Sequence, residues 1–517
     1  MNTKIQKTQI EEGVLSINMR GVGFLRNDNS KDAIEIENRN LGTGLHGDFV
    51  KVEVIKPKKG PLAAKGKVIE VLTRSKKGHA GTLEEEAGIF FLVPQDKKMY
   101  TDIMIPKEKL GGAKVGDKIF AVISSWKDAT KSPYGEVLEV IGAPNSNDAE
   151  MKALALEKGF SSTFNPGVLE QAKHLYDEGI GPKQIEGRRD FRETLTFTID
   201  PFDAKDFDDA LSFKKLDSGN FEIGVHIADV SHYVAEGDVI DKEAVERQTS
   251  VYLVDRVIPM LPEVLSNDLC SLVEAKDRLT FGAVFEMTPA GEIFSEWFGR
   301  TVINSDKRFT YEEAQEIIEA GEGLHSEAII TLNTLAKILL EKRFTDGAIT
   351  LDTKEVKFTL DENSFPIGVY VKERKDAHKM IEEWMLLANK HVAHFVAEKA
   401  KKNPNVFVYR VHGLPEEDRM LDLATFLQNL GHEIHLHDGQ IRPKELNDLL
   451  KSLDGKPEKD IVQTHVTRSM QKAVYSTHNI GHYGLAFKDY THFTSPIRRY
   501  ADVMVHRLLA LYLSGGS

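Results

Sequence analysis

At 517 residues the chain is too long for one ordinary domain and calls for three or four. Its content, 41% hydrophobic and 28% charged, is that of a globular protein, with no run of 18 apolar residues to span a membrane and no apolar segment in MNTKIQKTQIEEG to act as a secretory signal. A net charge of −13 excludes a uniformly basic nucleic-acid-binding surface, and the lone Cys270 excludes an internal disulfide, which fits the cytoplasm.

The first third contains an imperfect repeat. Gly13-Val-Leu15 and Gly21-Val-Gly-Phe24-Leu25 are echoed by Gly81-Thr-Leu83 and Gly88-Ile-Phe-Phe91-Leu92, and Gly47-Asp48 by Gly116-Asp117, at a spacing of 67–69 residues. That period is too long for a solenoid unit and suits two small domains. Each copy alternates apolar residues between Gly and Asp breaks, the pattern of a five-stranded β-barrel. Such barrels bind single strands through exposed aromatics, here Phe24 and Phe90 or Phe91, although a strand Phe more often packs inward. Residues 51–80 carry nine Lys or Arg (Lys51, Lys56, Lys58, Lys59, Lys65, Lys67, Arg74, Lys76, Lys77) against Glu53 and Glu70. This is either a solvated face or a stripe that guides an anionic substrate.

Residues 143–190 read as a helical connector, with helices near 148–158 and 167–178, the second entered through Asn165-Pro166. From there the texture is mixed α+β, without regular βαβ units. Thr194–Ile199 alternates strictly and predicts a half-buried strand closed by Asp200. Long helical patterns occupy 376–401 and 498–513. The expected organisation is two OB-type barrels (1–78 and 79–142), the connector (143–190) and a catalytic domain (191–517).

Residues 198–209, TIDPFDAKDFDD, hold five aspartates. Pro201 ends strand pairing, so Asp203 and Asp206 fall on a loop, and Asp208 and Asp209 precede a resuming strand. Interleaved Ile199, Phe207 and Leu211 draw these acids toward a core, where crowded carboxylates repel unless cations hold them. Hard oxygen ligands favour Mg²⁺, with Mn²⁺ the alternative; two such ions about 4 Å apart suit phosphodiester hydrolysis. An EF-hand fits poorly, because the loop lacks the Gly and the Glu that it requires. His378 with Glu382, and His391 with His394, have helical spacings, but without Cys ligands or an HExxH pattern zinc is not expected.

TIDPFDAKDFDDA closely resembles the signature of the ribonuclease R/ribonuclease II exoribonucleases. The similarity continues through HIADVSHYV at 226–234, TSVYL at 249–253, VIPMLPEVLSN at 257–267, KDAHKMIEE at 375–383 and HFTSPIRRY at 492–500. It is closest to the ribonuclease R branch, and the paired barrels look like that family's two cold-shock domains. The resemblance implies processive 3′→5′ hydrolysis of single-stranded RNA with a free 3′ end, releasing nucleoside 5′-monophosphates. It implies that Asp200, Asp206, Asp208 and Asp209 hold the metals, that Asp203 supports them from behind, and that Asp208, Asp209 and Arg498 are catalytic. Loss of Asp209 is expected to stop chemistry and spare RNA binding. Arg498 and Arg499, read as beginning a helix, would meet phosphate. Tyr252 and Phe358 would stack on bases, and Glu382 or Glu383 would contact a 2′-hydroxyl and reject DNA.

The family usually continues past the SPIRRY helix into a third OB-type domain, which this sequence lacks, so the catalytic domain is expected to be cut short. A helix-turn-helix extension found before the barrels in some relatives is also missing. Two other readings are therefore carried: an RNA-binding regulator with an impaired nuclease domain, and a two-metal endonuclease or DNase. The absence of a coiled-coil pattern suggests a monomer.

Overall fold

The repeat folds as two closed five-stranded barrels in a computed structural model that describes residues 9–516 except 19, 27–32, 59–62, 76–77, 144–145, 350–354 and 402–404. The first barrel comprises β1 (Ile10–Ile17), β2 (Gly23–Arg26), β3 (Ile34–Ile36), β4 (Phe49–Lys56) and β5 (Lys65–Thr73). The second comprises β6 (His79–Glu86), β7 (Ile89–Pro94), β8 (Ile103–Ile105), β9 (Lys118–Ser125) and β10 (Tyr134–Gly142). Equivalent positions do equivalent work. Leu15 and Leu83 are both fully buried, as are Leu25 and Leu92. Gly47 and Gly116 share a φ of +93°, which a side chain would strain. Their amides donate to Leu15 O (2.7 Å) and Leu83 O (2.8 Å), and Asp48 and Asp117 each cap the same turn through Oδ2.

The basic run is partly neutralised. Lys51 pairs with Glu12, Lys65 with Glu37 and Arg74 with Asp48, whereas Lys59, Lys76 and Lys77 lie outside the described residues. Phe24, Phe90 and Phe91 are half-buried.

Two compact units emerge, Met1–Thr163 with Leu360–Ile367, and Phe164–Thr359 with Gly368–Ser517. The boundary cuts through the expected connector. The helix Asn147–Glu157 lays Ala149 and Ala153 against Ala80, Phe120 and Ile141, so it is part of the second barrel's packing. The helix Pro166–Glu178 is capped by Asn165, whose side chain accepts from Gly167 N, and buries Val168 and Ala172 in the second unit. The two longer helices of the connector therefore belong to different units.

The second unit is built on a sheet of order β11-β18-β17-β14-β13-β12-β19. Its strands are β11 (Arg189–Asp190), β12 (Thr196–Asp200), β13 (Asp209–Lys215), β14 (Phe221–Ala228), β17 (Asp277–Met287), β18 (Ile293–Asn304) and β19 (Lys307–Thr310); the short pair β15 (Val251–Tyr252) and β16 (Val257–Ile258) stands apart. One face packs Phe197, Ile199, Leu211 and Phe285 on the helices Tyr311–Ala320, Ser326–Thr345 and Asp376–Ala400, with Trp384 at the centre. Each such large side chain contributes about 1.5–3 kcal/mol. The opposite face carries Ala210, Ala228, Leu279 and Val302 under a second core. β12 is consequently buried on both faces, with Thr196 and Thr198 as inaccessible as Phe197; the half-buried strand expected from its alternation is corrected by this second layer. Helices Glu417–Asn429, Pro443–Ser452 and Lys459–Ser469 form a small satellite core that sequence pattern did not announce.

Candidate active site

β12 and β13 pair only at Thr196↔Ser212 and Phe197↔Leu211. Beyond those pairs the strands part, leaving Asp200 at the end of one and Asp209 at the start of the other. The intervening loop is pinned by its backbone. Phe207 N donates to Ser271 Oγ (2.9 Å), Ser271 Oγ donates to Lys205 O (2.8 Å), and Arg308 donates to Phe202 O (3.0 Å) and to Pro201 O. The Phe207 ring turns inward beneath the Arg308 guanidinium. Asp208 is thereby buried, its Oδ1 accepting from Ile497 N (2.9 Å) and its Oδ2 lying 3.5 Å from Arg498 Nε. Tyr252 Oη donates to Asp206 Oδ2 (3.2 Å). Asp200 Oδ2 is buried without a hydrogen-bond partner. Asp203 sits on the exposed tip, and nothing brings it to the other carboxylates.

Burial pushes the carboxyls of Asp200 and Asp209 up to about 7 and that of Asp208 up to about 8. Mutual repulsion adds to this: Asp208 and Asp206 act on Asp200, Asp209 and Asp206 on Asp208, and Asp200 on Asp209. Arg308 offsets part of the cost at Asp200, and Arg498 part of it at Asp208 and Asp209. Three desolvated carboxylates answered by two partly engaged arginines form a site short of positive charge. Among the described residues no three His, Cys, Asp or Glu side chains are gathered closely enough to hold an ion as they stand. Uncompensated anions repel, and drawing them together takes a cation. The all-oxygen donor set and the orphaned Asp200 Oδ2 fit a hard divalent ion.

Arg498 is exposed and lies in the turn before the helix Tyr500–Leu513, not in its first turn as expected. Its carbonyl accepts from Ser250 N (3.0 Å) and Thr249 Oγ1 (2.9 Å), tying it to the segment that presents Tyr252. Arg499 turns away, its guanidinium 2.8 Å from the buried Asp502 Oδ1, which also accepts from Ser495 N. Its Nη2 braces the turn, while its Nε is buried without a hydrogen-bond partner. The two glutamates are also separated. Glu382 is partly exposed and paired with Arg374, whereas Glu383 is buried against Arg343 and does not reach the aspartates. That pairing corrects Glu383 as an RNA contact. Tyr252 presents an exposed ring, and Phe358 is exposed on the hairpin of β20 (Glu355–Leu360) and β21 (Pro366–Lys372).

Two residues at the site escaped sequence reasoning. Arg308 stands on β19, parallel to β12 and in register with Thr198. Tyr311 stacks on His378 at 4.1 Å, and Asp209 and Asp200 add to the effect of burial in raising its phenol. The capping box from Thr310 to Glu313 announces a helix start there, but nothing local announces a site.

Family models match three successive parts of the chain. The RNB domain model matches residues 188–515, the cold shock domain model 91–165 and the ribonuclease B OB domain model 13–71. Ribonuclease R of Thermotoga maritima is 38% identical over 507 residues, covering 95% of this chain and 69% of that protein. Ribonuclease R 1 of Lactococcus lactis is 36% identical, covering 96% of this chain and 62% of that protein. The chain thus spans about two thirds of the length of these relatives. Mycoplasma genitalium RNase R in complex with ribose methylated single-stranded RNA is similar at a TM-score of 0.90 and 27% identity, over 97% of this chain and 79% of that one. Two OB-type barrels followed by an RNB catalytic domain, with relatives alike over almost the whole chain, place this protein in the ribonuclease R/ribonuclease II family of 3′→5′ exoribonucleases.

Proposed function

We propose that the chain degrades single-stranded RNA processively from a free 3′ end, hydrolysing it to nucleoside 5′-monophosphates by a two-metal-ion mechanism. The observation that carries this reading is the cluster of Asp200, Asp208 and Asp209, desolvated and raised, beside an exposed arginine. Asp200, Asp206, Asp208 and Asp209 hold Mg²⁺, or Mn²⁺ in its place. Bound there, the ions supply Lewis acidity toward the phosphodiester and lower the pKa of the attacking water. Arg498 meets the charge that develops on phosphate, and Asp208 fixes the guanidinium in place. Tyr252 stacks on a base near the 3′ end while its hydroxyl orients Asp206. Phe358 offers a second stacking face, and Glu382 receives a 2′-hydroxyl. The barrels add the grip that processive degradation requires, and the similar Mycoplasma genitalium enzyme was solved with single-stranded RNA bound. The protein acts as a cytoplasmic monomer. Among the described residues no helix is long and apolar enough to cross a membrane.

A regulator with an impaired nuclease domain is disfavoured, because a scaffold gains nothing from crowding four aspartates. The test is a 5′-labelled single-stranded RNA incubated with Mg²⁺. Stepwise shortening from the 3′ end, abolished by Asp209→Asn, is expected. Tight binding without shortening, or cleavage of circular RNA or DNA, would overturn the proposal.

A further inference from the structure

The segment His492–Tyr500 carries Arg498 at one end and, at the other, a group of side chains that the reaction as described leaves unused. Strand Tyr409–Val411 pairs antiparallel with Val474–Ser476, setting Arg410 opposite Tyr475. The Arg410 guanidinium lies over the Tyr475 ring at 4.8 Å, and Tyr475 Oη is 2.7 Å from His492 Nδ1, with the two rings edge to face. Tyr475 remains 42% exposed. Arg499 is answered by Asp502 and Arg498 by Asp208, but among the described residues Arg410 has no carboxylate partner and no side-chain hydrogen bond. Burial first, then Arg499, Arg410, His482 and Arg498, push the His492 imidazole down to about 2, so it stays neutral beside the Tyr475 hydroxyl and adds no charge to the arginines. An unanswered guanidinium held on an exposed aromatic ring, near two further arginines, is chemistry for a phosphate that carries a base: a fork for the phosphate oxygens and a surface for the attached ring or ribose.

We propose that Arg410 and Tyr475 form a second phosphate-binding position adjoining Arg498. It rests on the reading of the chain as an exoribonuclease. The phosphate has two possible sources with the same chemistry, the RNA backbone and the released nucleoside 5′-monophosphate.

The experiment uses the full chain and the variants Arg410→Ala, Arg410→Lys and Tyr475→Phe. Calorimetric titration with AMP in the absence of metal requires no turnover, and steady-state hydrolysis of single-stranded RNA gives KM and kcat. Arg410→Ala is expected to weaken AMP binding, raise KM for RNA, or both, by about tenfold or more, the size of a charge-assisted hydrogen bond, with kcat little changed. Arg410→Lys should retain much of the affinity. Tyr475→Phe keeps the ring and removes the bond to His492, so a loss of AMP binding as large as that of Arg410→Ala would overturn the role given to the ring. A change confined to AMP identifies the released product as the source, and one confined to KM identifies the backbone. No change in either arm overturns the proposal. So does an equal loss in the Ala and Lys variants with equally lowered melting temperatures, which would make Arg410 a structural brace. Failure of the wild type to hydrolyse RNA would sink the functional reading but leave the AMP titration interpretable.

Discussion

Neutralising Asp209 should make the metal-free protein more stable while destroying its activity. In the folded chain this carboxyl is raised from 3.8 to about 7, by burial first and then by Asp200. A group raised on folding contributes stability that is full below its unfolded value and lost as the pH climbs through its folded value. By pH 8 the loss set by the gap from 3.8 to about 7 is roughly 4 kcal/mol. Asp209 keeps part of its surface open to water, so about half that figure is the working estimate. Asparagine removes the charge and costs about 1–2 kcal/mol for a buried amide, leaving a net gain of order 1 kcal/mol at pH 8 and about none at pH 5. Melting in a chelating buffer at the two pH values reads this directly, at roughly 2 °C per kcal/mol for a domain of this size. The same variant, with Mg²⁺ restored, should bind labelled RNA like the wild type and hydrolyse it on the order of 10³-fold more slowly. If Asp209→Asn melts below the wild type at both pH values, the carboxylate is a structural partner and the charge-deficit argument fails.

Arg498→Lys keeps a positive charge but loses the planar fork; kcat should fall on the order of 10²-fold with little change in melting temperature, and a change confined to KM would contradict its role. Tyr252→Ala should raise KM about tenfold, corresponding to about 1–3 kcal/mol of lost stacking, whereas Tyr252→Phe should restore KM and report in kcat what the bond to Asp206 contributes. Arg343→Met leaves Glu383 buried without a partner and should cost about 3–5 kcal/mol in chemical denaturation. If it instead proved neutral for folding and abolished RNA discrimination, Glu383 would return as a substrate contact.

What sequence made legible was whatever depends on neighbours along the chain. The barrel repeat was visible because Leu15 and Leu83, Gly47 and Gly116 meet the same demands of strand and turn. The loop between β12 and β13 was visible because Pro201 must break pairing and Phe207 must turn inward. The rest depends on partners distant in sequence. The burial of Thr198 comes from a second layer, and Arg308 reaches the loop through a parallel strand about a hundred residues away. Glu382 and Glu383 are adjacent letters in one motif, yet helical geometry sends them to different surroundings, one to Arg374 and the other to a buried Arg343. The site itself was read from five aspartates, but how they divide the work, with Asp208 anchored, Asp200 orphaned and Asp203 outside, is set by residues near 270, 308 and 497.

The bond from Ile497 N to Asp208 joins residues 289 positions apart. During synthesis the aspartate loop leaves the ribosome long before its anchor exists. Until Ile497 and Arg498 emerge, Asp208 has neither its amide donor nor the guanidinium beside it. The support of the aspartate loop is therefore complete only when the last stretch of the catalytic domain has folded onto it.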